Sequence, residues 1–151
     1  MSECQFTISL RIRHPRIEPA QITQALGIEP QYAWQAGEPR RDIESDERTE
    51  GAYHESYWTA RLVEQSSLSA DAASIESVLL QILARLRRSF EFLRDLNEEE
   101  AVTELHISVF ASENFRLELL PESLILLGRL GLALSLEVNP PAVAPPASLT
   151  N

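Results

Sequence analysis

The order of strand-like and helix-like patterns along the chain constrains its fold more than any other feature of the sequence. Alternation of polar and apolar residues, which is typical of a half-buried strand, occurs at residues 6–12, 53–62, 103–112 and 132–138. An apolar stripe that repeats at three- and four-residue steps predicts a long helix from about Asp71 to Leu96. The chain is therefore expected to combine helices with a sheet in one layered domain.

Two shorter helices have the same design, with a proline in the first turn and a glycine just beyond the last turn. The first is expected at Glu18–Leu26 and the second at residues 120–131. Gly27 fits the position after the last helical residue, where a left-handed backbone conformation ends many helices. A strand, a helix and a glycine thus occur in the same order near both ends of the chain.

A short extended segment is expected at residues 31–35, after the first helix. It would form a hairpin with the strand at residues 53–62, and the charged segment 38–51 would connect the two strands. Gly37 would release the chain from the short strand, because glycine tolerates backbone conformations that other residues avoid.

The two tryptophans are expected to lie together in the core. Tyr32 and Trp34 alternate along the short segment and would share its apolar side. Trp58 is on the apolar side of the neighbouring strand. This placement predicts that Trp34 covers the end of the core beside Trp58, and that both side chains are buried. The alternative is that Trp34 is an exposed platform for a ligand.

The predicted elements follow the order β-α-β-β-α-β, with a further α-β unit at the end. The first six match a ferredoxin-like (split βαβ) fold, an α+β arrangement in which an antiparallel-rich sheet carries its helices on one face. The final α-β unit would be a C-terminal extension. Residues 1–138 are expected to form a single α+β domain, and the proline-rich residues 139–151 a flexible tail that adds nothing to stability.

Several segments together resemble a bacterial family of domains of unknown function, the family numbered 4279. They are EPAQITQALGIEP, AWQAGEP, the strand that contains YW, the long helix and the closing LALSLEV. The resemblance covers roughly residues 5–138. It implies a small α+β domain from a bacterium, and it brings no catalytic residues because the family has no established activity.

Composition excludes several functions. The net charge of −10 argues against nucleic-acid binding and against binding to anionic membranes, since both rely on excess Lys and Arg. Lysine is absent, which excludes Schiff-base chemistry and a P-loop. Cys4 is the sole cysteine, so no disulfide can form within the chain. The N-terminal residues have no continuous apolar segment of the kind found in signal peptides, and a cytoplasmic protein is expected.

The sequence gives little support for catalysis. His14, His54 and His106 are far apart and lack the spacing of metal ligands. No serine lies in a G-x-S-x-G turn. We therefore expect no catalytic residue, no metal and no cofactor, and a hydrolase that uses the three histidines is kept as an alternative.

The sheet face opposite the helices is the strongest candidate for a binding site. Tyr and Arg are enriched where partners bind, so the face could recognise a second copy of the chain or an anionic group. The alternative interpretation is a solvated face with polar pairs between strands. The candidate residues on this face are Arg11, Arg13, Tyr57, Arg61, His106 and Phe110.

These observations favour a non-catalytic binding or interaction module. Its partner is expected to be a second copy of the chain, through the open face or an adjoining strand edge, or another protein. An immunity-type protein, whose acidic surface neutralises a basic toxin, is the first alternative. The hydrolase is the second alternative.

Overall fold

The computed structural model describes residues 3–69, 72–111 and 114–140. A short 3₁₀ turn at Arg87–Ser89 separates two of the helices. The other elements, in chain order, are β1 (Glu3–His14), α1 (Pro19–Leu26), β2 (Tyr32–Trp34), β3 (Pro39–Arg41), β4 (Arg48–Ala52), β5 (Ser56–Ser69), α2 (Ala72–Leu86), α3 (Phe90–Glu98), β6 (Val102–Ala111), α4 (Pro121–Leu130) and β7 (Ala133–Asn139).

Five strands form one sheet in the order β2-β5-β1-β6-β7. The central strand β1 runs antiparallel to β5 and β6, and β2 runs antiparallel to β5. β7 runs parallel to β6, because α4 carries the chain back to the starting end of the sheet before β7 begins. The α+β class is confirmed, and the sheet is mixed.

The hydrophobic core lies between the sheet and the helices. Alternate side chains of β1, from Phe6 to Ile12, are buried on the same face as those of β6. They form one cluster with the apolar side chains of the helices, which include Ile75, Leu79, Leu83, Leu93 and Leu96. This helical layer leaves the opposite face of the sheet without a covering helix.

The long helix predicted to end near Leu96 is interrupted. α2 ends at Leu86, the 3₁₀ turn follows, and α3 begins at Phe90. A 3₁₀ turn has three residues per turn, so it changes the direction in which the following side chains point. Leu93 and Leu96 are buried in this new direction, so the stripe is continuous while the helix is not. The predicted first residue, Asp71, lies outside the described residues.

The prediction that Trp34 lies beside Trp58 in the core is wrong. Trp58 is fully buried, and its indole N–H donates to Thr23 Oγ1 of α1 at 3.1 Å. Trp34 is only half-buried and pairs in register with Tyr57, whereas Ala33 pairs with Trp58. Residues directly opposite each other in an antiparallel pair share a face, so Trp34 lies on the face opposite the core.

The charged segment predicted as a simple connection forms a hairpin of its own. β3 and β4 pair as a separate two-stranded sheet, and their residues are exposed. Gly37, with φ of 89°, precedes β3, and its N–H donates to the carbonyl of Tyr53 at 2.9 Å. The hairpin is therefore joined at its base to the start of β5.

The two proline-initiated helices end alike. Gly27 and Gly131 both have φ of 68°, the left-handed conformation that closes a helix. The start of α4 is fixed by Glu76 of α2, whose carboxylate accepts from the N–H of Leu120 at 2.9 Å and from the hydroxyl of Ser123 at 3.3 Å. None of the helices among the described residues is long and apolar enough to cross a membrane.

Candidate binding face

The face of the five-stranded sheet opposite the helices is called the open face here. On β1 it carries Thr7, Ser9, Arg11 and Arg13, which alternate with the buried core residues of the same strand. The first three are half-buried and Arg13 is exposed. The alternation that buries one side of β1 therefore presents two arginines on the other side.

Four adjacent strands place one row of side chains across the open face. Trp34 of β2 pairs with Tyr57 of β5, Tyr57 pairs with Arg13 of β1, and Arg13 pairs with Val102 of β6. Opposed residues have Cβ atoms about 5 Å apart, within reach of large side chains. The row thus leads from two aromatic rings to an arginine and then to an apolar residue.

Three aromatic rings stack at one end of this row. The ring centroids of Trp34 and Tyr57 are 4.7 Å apart with planes 24° from parallel, and those of Trp34 and Tyr53 are 4.4 Å apart with planes 12° from parallel. The Tyr53 hydroxyl accepts from the N–H of Arg41 at 3.1 Å and donates to its carbonyl at 3.3 Å. The stack therefore fastens the β3–β4 hairpin to the open face.

A shallow cavity of about 310 Å³ lies beside the stack and is lined by Arg11, Arg13, Tyr57, Val102 and Glu104. Arg11 forms a salt bridge with Glu104 at 3.5 Å. Arg13 forms no salt bridge with any residue in the described part of the chain. The cavity thus contains one neutralised cation and one cation that is available to an anion.

The remaining residues of the predicted face do not line this cavity. Arg61 lines a different cavity of about 350 Å³, together with Glu29, Pro30 and Gln31 at the β2 side of the sheet. Phe110 is 40% exposed and pairs with Gln5 near the opposite end of β1. Of the six predicted residues, the structure brings Arg11, Arg13 and Tyr57 together.

His106 belongs to a hydrogen-bonded chain on the open face. Its Nδ1 lies 2.7 Å from the hydroxyl of Ser135, and its Nε2 lies 3.2 Å from the carboxylate of Glu137. A carboxylate can only accept, so in the neutral imidazole Nε2 carries the hydrogen and Ser135 donates to Nδ1. A hydroxyl, an imidazole and a carboxylate linked in this order are also found in catalytic triads, where they act as the nucleophile, the general base and the group that orients the base.

The other two histidines lie elsewhere. His14 is buried on the core face, and its Nδ1 accepts from the N–H groups of Arg16 at 3.0 Å and Ile17 at 2.9 Å. Its Nε2 donates to Glu99 at 2.7 Å, so both ring nitrogens of His14 have structural partners. His54 is exposed in the turn before β5. Among the described residues, no group of His, Cys, Asp and Glu is arranged to hold a metal ion.

Tyr53 is the part of this face that sequence reasoning missed. It lies outside β5, and its ring reaches Trp34 because the hairpin turns the chain back towards β2. Strand alternation does not fix its position, because Tyr53 precedes the first residue of β5.

The fold and this face define a small α+β domain with an open sheet surface. The chain belongs to the family described as Domain of unknown function (DUF4279), which it matches over residues 3–140. No curated protein and no solved structure is significantly similar to the chain.

Proposed function

We propose that this chain is a non-catalytic binding module whose open face takes a ligand with an anionic group joined to a flat apolar group. The observation that supports the proposal is the row in which exposed Arg13 lies between Tyr57 and Val102, beside the stack of aromatic rings. Arg and aromatic residues are the types most enriched where proteins bind their partners.

We also propose that the four strands β2, β5, β1 and β6, with their helices, form a ferredoxin-like unit. The order β2-β5-β1-β6, with antiparallel neighbours, supports it. So does the position of α1 between β1 and β2 in the chain, and of α2 and α3 between β5 and β6. α4 and β7 extend this unit by one parallel strand.

The chemistry of the cavity selects the ligand. A guanidinium binds a carboxylate or a phosphate through two parallel N–H groups, and such charge-assisted hydrogen bonds are stronger than neutral ones. The ring of Tyr57 and the side chain of Val102 offer apolar surface next to Arg13. Glu104 repels a second negative charge near Arg11, so the cavity favours one anionic group per ligand.

The proposal is tested by titrating the protein with phenyl phosphate and with phenylacetate while amide and indole NMR signals are recorded. Signals of Arg13, Tyr57 and Trp34 are expected to move together. A hydrogen bond to a charged group contributes about 1.5–3 kcal/mol, so Arg13→Gln is expected to weaken binding by roughly 10- to 100-fold. Arg88→Gln is the matched control, since Arg88 is an exposed arginine on the helical side and undergoes the same change of charge.

The two probes separate the sources of the anion. Tighter binding of phenyl phosphate would identify a phosphate ligand, and tighter binding of phenylacetate a carboxylate ligand. Equal weakening by Arg13→Gln and Arg88→Gln, or signal changes that leave Tyr57 unmoved, would contradict the proposed site.

Ester hydrolysis is a second candidate function, favoured by the Ser135–His106–Glu137 chain. If it occurs, Ser135→Ala abolishes hydrolysis of p-nitrophenyl acetate and leaves binding of phenyl phosphate unchanged. Acyl transfer also needs donors for the developing oxyanion, which these three residues do not themselves supply. The binding function is therefore preferred. If it is correct, Ser135→Ala and the unmodified protein hydrolyse p-nitrophenyl acetate at the same rate.

A further inference from the structure

The helical layer covers Leu134 at the start of the outermost strand and leaves the second half of that strand uncovered. Ile107 of β6 is fully buried, and its register partner Leu136 on β7 is 44% exposed. Val109 is also fully buried, and its partner Val138 is 54% exposed. The apolar side chains of β6 are thus buried, whereas their apolar neighbours on β7 are exposed to solvent.

β7 is also an open edge of the sheet. It pairs with β6 on one side, and no strand among the residues that the structure describes pairs with its other side. The opposite edge is protected by its length, because β2 has three residues, whereas β7 has seven. β7 contains no proline, lysine or arginine, the residues that commonly prevent an edge from adding a strand. The edge thus has the features that favour strand addition.

We propose that two copies of this chain associate by pairing their β7 strands antiparallel around Leu136. In this register Leu136 lies opposite Leu136 of the second copy, and Leu134 lies opposite Val138 on the same apolar face. Ser135 lies opposite Glu137 on the polar face, so the two Glu137 carboxylates do not face each other. A register centred on Glu137 would oppose two carboxylates and is disfavoured.

The chain's own C-terminal residues fit this edge less well than a second copy does. The sequence after β7, PPAVAPPASLTN, contains four prolines, which have no N–H group to donate to a neighbouring strand. β7 itself has no proline and can use every N–H group on its open side. The inference is independent of the open-face function, because the cavity there is lined by residues of β1, β5 and β6.

Sedimentation equilibrium at micromolar to high micromolar concentration tests the association. The unmodified protein is expected to reach about twice the 17.0 kDa chain mass. Leu136→Glu and Leu136→Lys are each expected to raise the dimer dissociation constant by about tenfold or more, because like charges then meet at the two-fold axis. An equimolar mixture of the two variants is expected to associate again, since Glu meets Lys in the mixed dimer.

Ile43→Glu is the control, because Ile43 is 55% exposed at the β3–β4 hairpin, away from β7. It is expected to leave the association unchanged, and thermal unfolding verifies that each variant is folded. A protein that stays monomeric at high micromolar concentration overturns the inference, as does failure of the mixture to recover the dimer. Association that appears only after truncation beyond Pro140 also overturns it, because the tail would then occupy the edge.

Discussion

The two tryptophans provide a quantitative test of the register in which the short strand β2 pairs with β5. Trp58→Ala removes a fully buried side chain and leaves Thr23 without its indole partner. The usual loss for a large buried aromatic is about 3–5 kcal/mol in the free energy of unfolding. Trp34→Ala removes a half-buried ring and two stacked pairs, each contributing about 0.5–1.5 kcal/mol, so its loss is expected to be about 1–3 kcal/mol.

Urea denaturation followed by far-UV circular dichroism measures both losses without depending on the residue that was removed. Fluorescence then identifies the remaining tryptophan, because buried Trp58 is expected to emit at shorter wavelength in Trp34→Ala than Trp34 does in Trp58→Ala. Equal losses of free energy, or a larger loss for Trp34→Ala, would refute the assignment of Trp34 to the open face.

Two further predictions concern stability. Gly131→Ala is expected to destabilise the protein more than Gly27→Ala. Both glycines have φ of 68°, a conformation that costs a residue with a side chain about 1–2 kcal/mol, so this cost is shared. An added Cβ at Gly131 would also lie 2.9 Å from Asn97 Cγ, whereas one at Gly27 would meet nothing within 4 Å. Equal midpoints in urea for the two variants would contradict the crowding at Asn97. Truncation after Asn139, the last residue of β7, is expected to leave the melting temperature unchanged, and a drop of several degrees would show that the tail packs on the domain.

Strand positions and the buried face could be predicted because period-two alternation over many residues has a single consistent interpretation. Phe6, Ile8, Leu10 and Ile12 are all buried as that alternation requires. The three-residue strand β2 is too short for its own pattern to fix a register. A shift of one residue exchanges the two faces, and Trp34 was assigned to the wrong face for this reason.

The candidate site was also predictable only in the part that strand alternation determines. The alternation of β1 and β5 placed Arg11, Arg13 and Tyr57 on one face, and the structure brings them around one cavity. The contact of Tyr53 with Trp34 depends on how the β3–β4 hairpin folds back, which no local pattern specifies.

The hydrogen bonds that link Ser135, His106 and Glu137 depend on the pairing of two strands that are distant in sequence. They form because β7 lies parallel to β6, so that Ser135 comes beside His106 and Glu137 follows on the same face. That pairing is set by the crossover through α4. Alternation within β6 alone indicates which side of the strand His106 occupies and leaves its neighbours undetermined.

A crystal structure of the protein with phenyl phosphate is the most direct test of the open-face site. The phosphate is expected to lie about 3 Å from the Arg13 guanidinium nitrogens, with the phenyl ring against Tyr57 and Val102. A different cavity, of about 270 Å³ in the helical layer, also combines arginines with apolar residues, among them Arg87, Phe90 and Arg129. Phenyl phosphate bound in that cavity, with the open face empty, would contradict the proposed function.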